Sequence, residues 1–314
     1  MKAWLFTGAH QPLQMIERPD PEPAADEVVI NVRAAGLCHS DVGFLDGTLT
    51  GMLQNLPMIL GHEVAGVIGK AGAEVTNVKV GDRVVSSGPE WFAPGWTVDG
   101  GYATRCKVKA SGLVRLPNSV SFVQGAAATD AGQTSYGGVM GAGAMQAGQR
   151  VGIVGLGGLG MTGARIAVIN GAAEVYAAEP RKEAWDTAKA LGVKEVFADV
   201  SEFAPLQLDL IVDFAGFGTT TAGAIAAVRP YGTVSLVGLG RTECTIATSL
   251  LVGKAVTLRG SRGGRPGDTE KVIKHIADGD LNIAATSIGF DDIPDGLKRL
   301  EAGGVIGRLV AEMA

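Results

Sequence analysis

Cysteine and histidine are scarce in this chain. Its 314 residues include only three cysteines, Cys38, Cys106 and Cys244, and four histidines. An odd, widely spaced cysteine set implies no disulfide framework and fits a reducing compartment, where a lone thiol can serve as a ligand. Basic excess is also lacking. Lys plus Arg number 27 against 32 for Asp plus Glu, a net charge of −5, which argues against a nucleic-acid partner. Hydrophobic residues make up 46%, but no apolar run is long and uninterrupted enough to span a bilayer, so no membrane partner is expected. Met1-Lys2-Ala3-Trp4 leads into strand-like sequence without an apolar signal region or cleavage site. A cytoplasmic protein is the expectation.

Glycine, by contrast, is abundant at 47 residues, roughly twice its usual share. Many glycines separate short apolar runs, which indicates sheet-rich architecture with tight connections. The length exceeds what one hydrophobic core usually holds, so two domains are expected. The first half reads as short strands between turn residues: Lys2–Phe6, Glu27–Ala34, Val64–Lys70, Arg83–Ser86, Tyr102–Val108 and Leu113–Leu116. No regular strand–helix alternation appears there, so an antiparallel arrangement is expected. From about residue 132 the pattern changes. Arg150–Val154 reads as a buried strand, Leu159–Ile169 as a helix, Val175–Ala178 as a strand and Arg181–Leu191 as a helix. Leu208–Phe214, Thr220–Val228 and Thr233–Leu239 continue the alternation, which builds a doubly wound parallel sheet. The alternation stops after Val256–Arg259. Beyond it, Thr269–Ala277 reads as a helix and Ile306–Ala311 as a closing strand that returns to the first domain.

Within the alternating part, Gly155-Leu-Gly157-Gly158-Leu159-Gly160 matches Gly-x-Gly-x-x-Gly. In a glycine-rich chain that match alone is weak. Its context strengthens it: strand Val151–Val154 precedes it, a helix follows, and Glu179 comes at the end of the next strand. Glycines there let backbone amides approach a pyrophosphate at a helix N-terminus, while an acidic side chain grips the adenosine ribose. Glu179 would repel a 2′-phosphate, so NAD is expected over NADP. Arg181, two residues on, would partly offset that repulsion.

Three separated residues have the makings of a catalytic zinc site: Cys38, His62 and Asp130. A catalytic zinc takes three protein ligands and leaves a position open, and one thiolate, one imidazole and one carboxylate meet that need. Each also has a plainer explanation. Cys38 could be a buried structural thiol, but His39 and Asp41 are polar neighbours in what should be a tight turn. His62 could be a core histidine, but Glu63 follows it, and Asp41 is a candidate partner for its second ring nitrogen. Glu63 itself reads as a nearby charge or a transient ligand. Asp130 follows Ala-Ala-Ala-Thr, and spacing alone favours a helix N-cap for it.

Taken in order, the landmarks make the chain resemble the medium-chain zinc-dependent alcohol dehydrogenases over nearly its full length. They are Gly36-Leu-Cys-His-Ser-Asp41, Gly61-His-Glu63, Val80-Gly-Asp-Arg83, Gly100-Gly-Tyr-Ala103, Thr134-Ser-Tyr136, the glycine loop and Gly307-Arg308. The resemblance implies a GroES-like, mainly antiparallel β catalytic domain (1–131 and 266–314) around a Rossmann domain (132–265). It implies Cys38, His62 and Asp130 as zinc ligands, with Asp130 where most members carry cysteine and some bacterial secondary-alcohol dehydrogenases carry aspartate. Ser40 matches the hydroxyl that binds the substrate oxygen and accepts its proton. His39 and Arg308 match residues near the cofactor pyrophosphate, and Thr134 one near the nicotinamide.

Two departures stand out. The stretch from Ser86 to Gly100 contains no cysteine and is short, so the structural zinc of most zinc members is not expected; Trp91, Phe92 and Trp96 stand there instead. Gly43 occupies the position where several members place a relay histidine, which leaves water to carry the proton beyond Ser40. The expected activity is hydride transfer between an alcohol and NAD, with a ketone or aldehyde as the product, in a homodimer or homotetramer. A zinc-free quinone or enoyl reductase is the alternative within the superfamily. Those relatives generally lack the Cys and His-Glu pair and usually prefer NADPH. A non-catalytic NAD-binding scaffold is the alternative outside enzymes.

Overall fold

The computed structural model describes residues 1–87 and 92–313. Two compact units emerge, Met1–Asp130 with Ala285–Ala314, and Ala131–Ala284. The chain leaves the second unit later than residue 265, because helix Asp268–Ala277 packs inside that unit. Thr269 and Asp268 of this helix are buried, and Thr269 Oγ1 donates to Gln133 Oε1 at 2.7 Å.

The first unit carries strands β1 (Lys2–Phe6), β2 (Gln14–Glu17), β3 (Glu27–Leu37), β4 (Met58–Ile59), β5 (Glu63–Ala71), β6 (Arg83–Ser86), β7 (Arg105–Lys109) and β8 (Leu113–Arg115). Strands β1, β2 and β4 form a small antiparallel sheet. The larger sheet is centred on β3, whose near-continuous burial fits a strand covered on both faces. One edge of β3 pairs with β5. The other pairs first with β7 over Glu27–Asn31, then with a C-terminal strand over Ala34–Leu37.

The second unit is a six-stranded sheet of β9 (Arg150–Val154), β10 (Glu174–Ala178), β11 (Glu195–Phe197), β12 (Leu210–Asp213), β13 (Thr233–Leu236) and β14 (Thr257–Gly260). Every pair in it is parallel, and the order is β11-β10-β9-β12-β13-β14. This is the doubly wound arrangement expected from the alternation. The chain closes in the first unit with β15 (Ala285–Gly289) and β16 (Arg308–Glu312), which pair in parallel, and β16 is the strand that joins β3. The fold class is thus the expected one, with one parallel pair added to an otherwise antiparallel sheet.

Several local elements differ from expectation. Residues His39–Leu45 form a helix rather than a tight turn, started by the Asp41 carboxylate accepting the Cys38 N–H at 3.0 Å. The expected helix Arg181–Leu191 is a 3₁₀ turn, Lys182–Ala184, followed by Trp185–Ala190. Helix Ile293–Glu301 had no strand–helix alternation to announce it; Ile293, Leu297 and Leu300 supply its buried stripe. Among the described residues no helix is long and apolar enough to cross a membrane.

Candidate functional site

In the first unit the long central strand delivers Cys38 immediately after β3, at the N-cap of helix His39–Leu45. His62 lies in the turn between β4 and β5, and Glu63 opens β5. Asp130 sits in a π-helical turn, Ala128–Gly132, an uncommon backbone form found often at functional sites. Ligand atoms of Cys38, His62, Glu63 and Asp130 all lie within 4.8 Å of one another. Cys38 Sγ is 3.3 Å from Asp130 Oδ2, and His62 Nε2 is 3.8 Å from the same oxygen. Donors bound tetrahedrally at about 2.0–2.3 Å from a zinc lie about 3–4 Å from each other, so the Cys38–Asp130 and His62–Asp130 separations already suit such a site.

Charge in this cluster is buried and dense. Asp41 and Glu63 are fully buried, and Arg308 is 3% exposed. The Arg308 guanidinium contacts the carboxylates of both Glu63 and Asp130. Burial pushes the Glu63 carboxyl up to about 7, with Arg308 holding it down and Asp130 adding to the rise. Burial disfavours charge on His62, yet Asp41, Asp130 and the Cys38 thiol hold its imidazolium well above the usual range. Such a field calls for a cation among the donors. His62 Nδ1 is buried without a hydrogen-bond partner, and its nearest acceptor, Asp41 Oδ1, is 3.6 Å away. A ligating histidine hands its other nitrogen to a carboxylate, and Asp41 occupies that place. The donor set therefore fits a zinc ion.

Ser40 stands in the first turn of the helix, with Oγ 3.7 Å from Cys38 Sγ; His39, beside it, is exposed. At Gly43 the space is already taken. A Cβ there would lie 2.8 Å from Leu49 Cδ1, so a side chain at the relay position would require Leu49 to move. Of the three loop aromatics, Trp91 falls outside the described residues. The Phe92 ring faces Lys109 Nζ at 5.1 Å. Trp96 packs edge-on against Phe44 at 4.8 Å and stands 5.8 Å from the His62 ring. Arg308, expected near the cofactor pyrophosphate, pairs here with the carboxylates of Glu63, which is buried, and Asp130, which is half-buried.

In the second unit the glycine loop joins β9 to helix Gly158–Ile169. Gly155 has φ +84°, and a Cβ on Gly160 would lie 1.7 Å from the Gly155 carbonyl oxygen, so only glycine closes this turn. Gly157 caps the helix with open space where its Cβ would be, a cradle suited to a pyrophosphate. Leu159 is half-buried, and its carbonyl accepts from Ser135 Oγ at 2.8 Å, next to buried Thr134. Glu179 follows β10 and is 3% exposed. Its Oε2 accepts the Leu156 N–H at 2.7 Å, and its Oε1 accepts the Arg181 N–H at 3.0 Å and Arg181 Nε at 2.9 Å. Burial pushes this carboxyl up, but Arg181 and the two amides outweigh it, so Glu179 sits below the usual range and is charged. Arg181 thus pairs directly with Glu179.

Residues 24–118 match the family described as alcohol dehydrogenase GroES-like domain, and residues 158–278 the family described as zinc-binding dehydrogenase. An alcohol dehydrogenase of Geobacillus stearothermophilus is 31% identical, with all of both chains covered. A probable D-xylulose reductase A of Aspergillus clavatus is 27% identical over 98% of this chain and 96% of the relative. Among solved structures, the alcohol dehydrogenase of the archaeon Aeropyrum pernix superposes with a TM-score of 0.93 at 26% identity, covering both chains fully. Acetophenone reductase of Geotrichum candidum, solved with NAD, gives 0.91 at 25% identity, over 99% of this chain and 97% of the other. The chain belongs to the medium-chain zinc-type alcohol dehydrogenase family.

Two contributors to the metal cluster escaped the sequence. Arg308 was legible as part of Gly307-Arg308 but not as the counter-charge to Glu63 and Asp130. Tyr102 was legible as part of Gly-Gly-Tyr-Ala, but nothing local revealed that its hydroxyl reaches Asp41.

Proposed function

We propose that this protein interconverts alcohols with ketones or aldehydes, with one zinc held by Cys38, His62 and Asp130 and with NAD as the hydride carrier. The convergence of these three donors beside Ser40 carries the reading. When bound, zinc supplies Lewis acidity to the substrate oxygen, and the nicotinamide takes or gives the hydride. Ser40 accepts the hydroxyl proton as the alcohol is oxidised and returns it on carbonyl reduction, with water beyond it because Gly43 offers no relay group. Glu63 is a nearby charge able to reach the donor cluster. Arg308 neutralises Glu63 and shares Asp130 with the metal.

For the cofactor, the glycine loop and the N-terminus of helix Gly158–Ile169 hold the pyrophosphate. The charged Glu179 favours the ribose hydroxyls of NAD over a 2′-phosphate. A cytoplasmic location accords with free thiols at Cys38, Cys106 and Cys244. Self-association to a homodimer or homotetramer is supported by the unpaired edge of β14 and the exposed Val252 and Tyr231, each 79% exposed.

The test is turnover of an alcohol and ketone panel with NAD by the zinc-loaded protein and by Cys38→Ala. Wild type should turn over, and Cys38→Ala should lose zinc and activity while keeping NADH binding. Retained activity in Cys38→Ala would refute the metal mechanism. Enone reduction with NADPH alone would point to the zinc-free reductase, and cofactor binding without any turnover to the scaffold.

A further inference from the structure

We infer that Tyr102 is a positioning residue for the metal ligand His62, acting through Asp41, an inference that rests on the metal site proposed above. Among the described residues Tyr102 is the largest fully buried side chain. Its phenol O–H donates to Asp41 Oδ2 at 2.8 Å, with the Gly36 carbonyl more distant at 3.4 Å. Packing alone would not ask for that hydroxyl, because phenylalanine fills the same space and leaves no polar group to satisfy.

Asp41 divides its two oxygens between two tasks. Oδ2 accepts the Tyr102 O–H and the Cys38 N–H at 3.0 Å. Oδ1 faces the Gly61 N–H at 3.4 Å and His62 Nδ1 at 3.6 Å. With Oδ2 fixed by two donors the carboxylate does not rotate, and Oδ1 is presented to the imidazole. A hydrogen bond to a charged acceptor in a buried site is among the stronger kind. Burial and the Asp41 charge push the phenol well above its usual range, so Tyr102 keeps the proton it donates to Asp41.

The turn bearing His62 is also seated on Tyr102. The Tyr102 N–H donates to the Leu60 carbonyl at 3.0 Å, and the Gly101 N–H to the Gly61 carbonyl at 2.6 Å. Gly61 has φ +90°, and a Cβ there would lie 2.5 Å from Tyr102 Cδ1, so ring and turn are in direct contact. Replacement by phenylalanine keeps these contacts and removes only the hydroxyl. The ring places the turn, and the hydroxyl sets the carboxylate that orients the imidazole.

The experiment compares full-length wild type, Tyr102→Phe, Asp41→Asn and the double variant. Each is stripped of metal and titrated with zinc against a chromophoric chelator, then with cobalt(II) to read the thiolate charge-transfer band. Losing a partner beyond the ligands weakens metal binding about 10- to 100-fold. Tyr102→Phe and Asp41→Asn should each fall in that range with an altered cobalt spectrum, and the double variant should be no weaker than Asp41→Asn alone. Unchanged zinc affinity in Tyr102→Phe or in Asp41→Asn would overturn the inference, as would full additivity in the double variant. Should Tyr102→Phe fold poorly, Tyr102→Leu, which likewise lacks the hydroxyl, takes its place in the cycle under the same expectation. Failure of wild type to bind zinc would instead remove the metal site itself, and this inference with it.

Discussion

Replacing Arg308 with methionine tests the electrostatics of the cluster without touching a ligand. Methionine keeps most of the side-chain volume on β16 and removes the guanidinium. Two carboxylates then lose their counter-charge, those of Glu63, fully buried, and of Asp130. Removing one partner of a buried ion pair leaves an uncompensated charge and costs about 3–5 kcal/mol. In metal-free protein, where only the His62 imidazolium remains to answer the carboxylates, most of that cost should appear. Glu63→Gln added to Arg308→Met removes one of the stranded charges and should recover part of the loss. The pair should therefore couple by about 0.5–3 kcal/mol in a double-mutant cycle, as residues in one network do. Urea denaturation of chelator-treated wild type, both single variants and the double variant gives every leg of the cycle. A loss below about 1 kcal/mol for Arg308→Met, or strict additivity with Glu63→Gln, would refute the claim that Arg308 is the counter-charge of this cluster.

Gly160→Ala would set its Cβ 1.7 Å from the Gly155 carbonyl oxygen, a backbone clash that forces the loop open. NADH affinity, read by fluorescence titration, should fall at least about tenfold, roughly 1.4 kcal/mol; native affinity would contradict the loop geometry. Glu174 is held down to about 2 by Lys194 first, then by the Tyr176 hydroxyl and Arg150. A folded-state value below the ordinary 4.5 means the unfolded chain takes up the proton first, so the stabilisation is present above that pH and is lost as pH falls toward about 2. Glu174→Gln should therefore flatten the acid limb of a stability-against-pH curve while leaving its shape above pH about 6 unchanged. An identical acid limb in both proteins would contradict the assignment.

Much of the architecture was legible because its signals are local. The switch from strand–turn pattern to strand–helix alternation near residue 132 announced the parallel sheet, and Val151–Val154 with its glycines announced the loop that follows β9. Elements carrying mixed signals were not legible. His39–Leu45 is only seven residues long and contains Gly43, so it read as a turn, and its start depends on Asp41 reaching back to the Cys38 amide. Helix Asp268–Ala277 was grouped with the tail, although its buried threonine answers Gln133 far earlier in the chain. At the site, residue types were readable but convergence was not. Asp130 has a local explanation as a cap, and only the fold sets its carboxylate 3.3 Å from Cys38 Sγ. Arg308 and Tyr102 make the same point, since their partners lie on distant strands and turns. A side chain that serves a ligand through another residue leaves no spacing for a motif to match.

The central claim is that Cys38, His62 and Asp130 form one zinc site per chain. The most direct test is the zinc content of purified wild type and of Cys38→Ser after reconstitution and removal of loose metal, by elemental analysis. The account predicts one zinc per chain in the wild type and loss of that zinc in Cys38→Ser. No zinc in the wild type, or a full complement retained by Cys38→Ser, would contradict it.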